Sequence, residues 1–143
     1  MPSPTYRSCP RYQESKFRIL YVGSDEGLLV ALRRFLRKPQ HFIVSCMDRG
    51  SAILFLRGDP KYDLLLFDFE LLGMKTLEMA RLAQSLPHRQ RTPIIITTAN
   101  GLTGNLEKRA RRAGVKECLI KTAEVVELSQ AIMRLLERSH RVS

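Results

Sequence analysis

Three side chains at three well-separated positions have the chemistry to handle a phosphoryl group: a carboxylate, Asp68, a hydroxyl, Thr98, and an amine, Lys121. Each closes or follows a short apolar run. Asp68 ends Leu64-Leu-Leu-Phe67, Thr98 ends Pro93-Ile-Ile-Ile-Thr97, and Lys121 follows Val115 to Ile120. A carboxylate can attack phosphorus while an ammonium and a hydroxyl bond the phosphoryl oxygens as charge develops. Each residue also has an ordinary alternative. Asp68 can cap the next helix, Lys121 can form a simple salt bridge to Asp68, and Thr98 is a common strand residue.

Whether the three meet depends on the elements that carry them. Phe17 to Val22 reads as a first strand, broken by Gly23-Ser24-Asp25-Glu26-Gly27. A helix follows, capped by Ser24 or Asp25, with Leu28, Leu29, Leu32, Phe35 and Leu36 at helical spacing. Its end is basic, with Arg33, Arg34, Arg37 and Lys38 before Pro39. His41 to Cys46 is a second strand, and Asp48 starts a helix stopped by Gly58-Asp59-Pro60. After the third strand, Lys75 to Leu86 is a helix, and a basic polar loop runs to Thr92. Thr103 to Ala113 is a charged helix stopped by Gly114. Ala123 to Glu137 is the last, with Val126, Ile132, Leu135 and Leu136 inward.

Five strands alternating with helices, each strand apolar along its length, predict an α/β three-layer sandwich with a parallel sheet. The flavodoxin-like doubly wound (βα)5 order 2-1-3-4-5 is the common five-strand solution. In that fold the ends of strands one, three, four and five converge on one crevice. Gly23, Ser24 and Asp25, then Asp68, then Thr97, Thr98 and Ala99, then Lys121 are placed there.

The chain from about Lys16 to Glu137 resembles a response-regulator receiver domain, the phospho-accepting module of two-component signalling. Its pattern P-D-x-x-x-x-D-x-x-x-P-G-M is matched by Tyr62-Asp63-Leu-Leu-Leu-Phe-Asp68-Phe-Glu-Leu-Leu72-Gly73-Met74. The Ser/Thr-Ala pair after strand four matches Thr98-Ala99, and the lysine after strand five matches Lys121. The resemblance implies Asp68 as phospho-acceptor, with Asp68 and Glu70 (through its backbone carbonyl or side chain) at a Mg²⁺ site. Gly23, Ser24 and Asn100 would line the pocket, and Thr98 with position 118 would form the switch. The chain is expected to act as a stand-alone signalling receiver rather than an enzyme, beyond its own phosphorylation and dephosphorylation. Its implied partners are a histidine kinase or phosphotransfer protein and a downstream protein docking on the face of the fourth helix, fifth strand and last helix. A homodimer through that face is a further expectation.

Departures from the family pattern bear on that reading. The acidic pair that holds Mg²⁺ after strand one is replaced by Gly23-Ser24, ahead of Asp25-Glu26. Asp68 and Lys121 alone sum to zero charge, which weakens the attraction for Mg²⁺. Asp25 can help if the first loop shifts by one residue, and Glu70 can offer a carboxylate at the pocket mouth. Otherwise Lys121 is expected to pair with Asp68 directly. The family's switch aromatic is Cys118, the proline after the lysine is Thr122, and Leu72 replaces the proline after the acceptor loop. The alternative reading is a phosphorylation-independent interaction module on the same fold.

Bulk properties narrow the class. A length of 143 residues suits one domain, expected as a basic leader over 1–16, the receiver-like unit over 17–137 and a polar tail over 138–143. No apolar run reaches the roughly 20 residues of a membrane span, and the leader lacks a signal-peptide core, so a cytoplasmic location without membrane contact is expected. Three cysteines, Cys9, Cys46 and Cys118, with no C-x-x-C spacing predict reduced thiols. The net charge of +10 permits an acidic partner. Nucleic acid is not expected, because Lys108, Arg109, Arg111 and Arg112 come without stacking aromatics or a helix-turn-helix. Flavin phosphate would be repelled by Asp25 and Glu26.

Overall fold

The computed structural model describes residues 17–35, 42–121 and 125–142. The predicted leader, the basic end of the first helix with the entry to the second strand (36–41), residues 122–124 with the predicted start of the last helix at Ala123, and Ser143 lie outside the described residues. Among the described residues five strands alternate with five helices: β1 (Arg18–Val22), α1 (Glu26–Phe35), β2 (Phe42–Cys46), α2 (Arg49–Arg57), β3 (Leu64–Asp68), α3 (Lys75–Ser85), β4 (Ile94–Thr98), α4 (Gly104–Arg112), β5 (Glu117–Ile120) and α5 (Val125–Val142). A single helical turn, Phe69–Leu72, joins β3 to α3 and ends at Gly73, whose φ of 57° is open to glycine alone at little cost.

All pairings are parallel and the order is β2-β1-β3-β4-β5, as predicted. Every residue of β3 and β4 is buried, which is why those runs are apolar without alternation. Successive side chains point to opposite faces, so the strands feed two cores. Leu65, Phe67, Ile94 and Ile96 pack with Leu56, Leu77 and Ala80 on the α2–α3 side. Ile19, Tyr21, Leu64, Leu66 and Ile95 pack with Leu28, Leu32, Leu128 and Ile132 on the α1–α5 side.

Local signals set the helix ends. The Asp48 carboxylate accepts from the Ser51 N–H at 2.8 Å, and Asp25 accepts from the Leu28 N–H at 3.0 Å. In α5 the buried stripe is Leu128, Ile132 and Leu136, spaced by four. Val126, predicted inward, is half exposed, because two residues before Leu128 is the far side of the helix. The helix also continues to Val142, past the predicted tail boundary, since neither glycine nor proline follows Glu137 to stop it.

The segment predicted as a polar loop before Thr92 contains a buried arginine. Arg89 is fully buried, its Nε donating to Leu56 O at 2.9 Å and its terminal nitrogen to Phe55 O at 3.1 Å and Gly58 O at 2.8 Å. Phe55 and Leu56 lie in the last turn of α2 and Gly58 is its C-cap; Phe55 O also accepts from the Gly58 N–H at 3.2 Å, and Gly58 O also lies 2.9 Å from His88 Nε2. The guanidinium also lies over the Tyr62 ring, 4.6 Å from its centre. Burial pulls the Arg89 pKa down, and the carbonyl fan is what makes a charge tolerable there. Arg89→Ala takes the guanidinium donors from these carbonyls and leaves a void where a fully buried side chain stood, and is expected to cost about 3 kcal/mol. Thermal melting should show a fall in Tm of roughly 10 °C; a change below about 2 °C would count against the capping role.

Candidate functional site

Parallel strands bring their carboxyl ends to one edge, and Val22, Asp68, Thr98 and Ile120 end four neighbouring strands there. Asp63, five positions before Asp68 in the matched pattern, sits at the other end of β3, where its carboxylate accepts from the Arg18 N–H at 2.9 Å. The backbone N–H of Lys121 donates to Thr98 O at 2.7 Å, tying the loop after β5 to the end of β4.

Asp68 is 2% exposed. Its Oδ1 accepts from the Glu70 N–H at 3.1 Å, so the helix-cap reading describes one of its oxygens. Lys121 Nζ donates to both oxygens at 3.2 Å. Direct pairing, expected where neither Asp25 nor Glu70 enters the site, is present alongside both of those carboxylates. The predicted charge balance is not. Lys121 Nζ also lies 3.5 Å from Glu70 Oε1 and 3.8 Å from Asp25 Oδ2. Three carboxylates surround one ammonium, and negative charge is in excess. Asp25 gets there because its carboxylate caps α1 through Oδ1, which leaves Oδ2 facing Lys121. Glu70 gets there because Oε2 is anchored on the Ala99 N–H at 3.0 Å.

Protonation follows from burial and charge together. Burial raises the Asp68 pKa, against the hydrogen bond and charge of Lys121, which pull it down. Burial works against the Lys121 ammonium, yet Asp68, then Glu70 and Asp25, hold its pKa above the ordinary lysine value. The pair stands as carboxylate and ammonium, each stabilised by the other.

The remaining predicted residues divide. Thr98 is buried and its Oγ1 accepts from the Asn100 N–H at 3.1 Å and the Gly101 N–H at 2.8 Å. Its own proton has no acceptor among the described residues, so the hydroxyl remains a donor. Asn100 and Ser24 are exposed at the rim, and Gly23 is buried. Cys118 pairs in register with Ile96, on the sheet face that Thr98 shares two residues on, and packs against the α2–α3 core. Its thiol pKa is raised, by burial first and then by Glu107 and Glu117.

One residue of the site escaped sequence reasoning. Tyr21 is 1% exposed, and its hydroxyl accepts from the Asp25 N–H at 3.1 Å. Its ring end lies against Gly23, so close that a Cβ on Gly23 would stand 2.4 Å from Tyr21 Oη. Burial raises the phenol pKa, the Asp25 N–H opposes this, and the charges of Asp68 and Asp25 add to it. The available signal was an aromatic residue two positions before a glycine, which share one face of an extended chain.

Mg²⁺ takes near-octahedral oxygens at about 2.1 Å, normally one or two carboxylates with waters. The donor set does not fit that demand. Asp25, Asp68 and Glu70 are arranged around an ammonium, and Gly23 and Ser24 contribute no carboxylate. Among the described residues, no three His, Cys, Asp or Glu side chains are grouped to hold a metal ion.

Comparison with known proteins places this geometry. The family model of the response regulator receiver domain matches residues 19–133. Signal transduction histidine-protein kinase BarA of Escherichia coli (strain K12) is 34% identical over 130 residues, covering 87% of this chain and 14% of that kinase. The chain thus spans a small part of that relative's length. The receiver domain of sensor histidine kinase PA1611 from Pseudomonas aeruginosa PAO1, which has a magnesium ion coordinated in its active site cleft, aligns with a TM-score of 0.67. It is 25% identical, with 88% of this chain and 98% of that one covered. The phosphorylated cyanobacterial phytochrome response regulator RcpA aligns with a TM-score of 0.73 at 19% identity, covering 90% and 97%, a likeness of fold alone. The family match runs from the first strand into the last helix, so it takes in every strand end at the crevice, and the chain belongs to the response regulator receiver domains of two-component signalling.

Proposed function

We propose that this receiver takes a phosphoryl group on Asp68 within a phosphorelay, with Lys121 supplying most of the positive charge and with a weakened Mg²⁺ site. The observation that carries the reading is the Lys121 ammonium, 3.2 Å from both Asp68 oxygens and within 4 Å of Asp25 and Glu70. A cation already stands among the carboxylates that a divalent ion would need. Phosphate arrives from a histidine kinase or phosphotransfer protein. An Asp68 oxygen attacks phosphorus, the phosphorus–nitrogen bond of the donor breaks, and its electron pair stays on the imidazole. Lys121 and the Thr98 hydroxyl bond the oxygens of the transferring group. Thr98 Oγ1 also holds the Asn100 and Gly101 N–H groups, so its movement toward phosphate draws the β4–α4 loop with it. Cys118 has no ring to follow that movement. The downstream protein, or a second copy, reads the α4–β5–α5 face, where Ile120 and Val126 are half exposed. Nucleic acid has no part in this reading. Among the described residues no helix is long and apolar enough to cross a membrane, and we place the protein in the cytoplasm with its phosphodonor.

A second reading, an interaction module that never takes phosphate, draws support from the burial of Asp68 in a closed ion pair. Intact-mass spectrometry after incubation with acetyl phosphate separates the two. A slow adduct, changed little by excess Mg²⁺ and absent from Asp68→Ala, is expected. No adduct from acetyl phosphate or from a phosphorylated histidine phosphotransfer protein would hand the case to the second reading.

The electrostatic role of Lys121 has its own test. Lys121→Met leaves three carboxylates facing one another, which lifts the Asp68 pKa further above its unfolded value near 3.9. A raised folded-state pKa favours folding below the unfolded value and withdraws that support as pH climbs through the folded value. The variant is therefore expected to lose stability between about pH 4 and 7 relative to the parent, by about 3 kcal/mol at neutrality. Adding Asp68→Asn should recover most of it. A stability gap that stays flat with pH would show that charge is not the cause.

A further inference from the structure

We infer that Tyr21 is the residue that closes this site to divalent cations, by filling the space a side chain at position 23 would need. The inference rests on the weakened-metal reading above and assigns its cause to a pair, Tyr21 and Gly23, rather than to the missing carboxylates alone.

Geometry carries the argument. Ordinary contact between an aliphatic carbon and an oxygen is about 3.5 Å. A Cβ on Gly23 would meet Tyr21 Oη at 2.4 Å and Cζ at 2.5 Å. Both atoms lie on the axis about which the ring flips, so flipping relieves nothing. Only swinging the whole side chain would, and Tyr21 is 1% exposed in the α1–α5 core. Replacing Gly23 by an acidic residue is thus blocked by a neighbour two positions earlier.

The same hydroxyl does a second job. By accepting the Asp25 N–H it fixes the path of the loop after β1, with Asp25 Oδ1 on the Leu28 N–H and Oδ2 turned to Lys121. Tyr21 is therefore a positioning residue that acts through Asp25. It stays neutral, since burial and the nearby Asp68 and Asp25 charges hold its proton on. A neutral phenol adds no charge for a divalent ion, while the loop it shapes directs Asp25 to an ammonium.

Four proteins test this: the parent, Gly23→Asp, Tyr21→Val, and the double variant, each titrated with Mn²⁺ by electron paramagnetic resonance as a stand-in for Mg²⁺. The double variant is expected to bind Mn²⁺ at least about tenfold more tightly than the parent or either single variant, as an added carboxylate and free volume would allow. Equal affinity of Gly23→Asp and the double variant would overturn the role of Tyr21. So would a folded double variant that binds no better than the parent. Tight binding by the parent would instead sink the weakened-metal reading itself. Should Gly23→Asp fail to fold, Gly23→Ala keeps the question open to refutation. Its Tm should drop in the Tyr21 background and drop far less with Tyr21→Val, and equal drops in both backgrounds would refute the steric plug.

Discussion

The ion pair between Asp68 and Lys121 is the constraint on which the site depends. A carboxylate 2% exposed at the end of the central strand cannot stand alone, because an unpaired buried charge is far more costly than a paired one. Its partner comes from 53 residues away, across β4, and reaches it only because β3, β4 and β5 are adjacent and parallel. The Lys121 N–H bond to Thr98 O fixes the base of that lysine, so ion pair and sheet order support each other. Asp25 and Glu70 then close around the same ammonium from two loops, one after β1 and one after β3.

An ammonium and a divalent metal ion solve the same electrostatic problem in different ways. The metal brings two charges and a fixed octahedron; the lysine brings one charge on a flexible stem with three donors. In this crevice the lysine stands among three carboxylates and keeps Asp68 paired. The solved receiver domain from Pseudomonas aeruginosa with magnesium in its cleft shows the same fold serving the other solution.

The rest of the molecule keeps this corner stiff. Arg89 seals the end of α2 with a fan of three carbonyl bonds, and Tyr62 beneath it belongs to the core that backs β3. Asp63 and Arg18 lock the far end of β1 to β3. With both ends of the central strand held, the position of Asp68 is set by the sheet and not by its loop.

Much of this was legible in the chain itself. Unbroken apolar runs such as Leu64 to Phe67 and Ile94 to Ile96, separated by helical periodicity, determine a parallel sheet covered on both sides, because each strand must bury both faces. That in turn brings Asp68, Thr98 and Lys121 to one edge. Other features lay beyond local pattern. Val126 and Leu128 are both apolar, and only the seat of α5 on α1 decides which faces inward. Arg89 looks like a surface residue until α2 ends above it. Asp25 had a neighbour in sequence to bond, whereas both partners of the Glu70 carboxylate are distant in the chain, and how each carboxylate turned depended on where Lys121 and Ala99 came to rest. Tyr21 and Gly23 carried a local hint, but a ring can lie over a glycine only when the core beside it leaves that path open. Short-range periodicity encodes which residues are buried; the pairing of charges distant in the chain is encoded only once strand order and helix phase have been set.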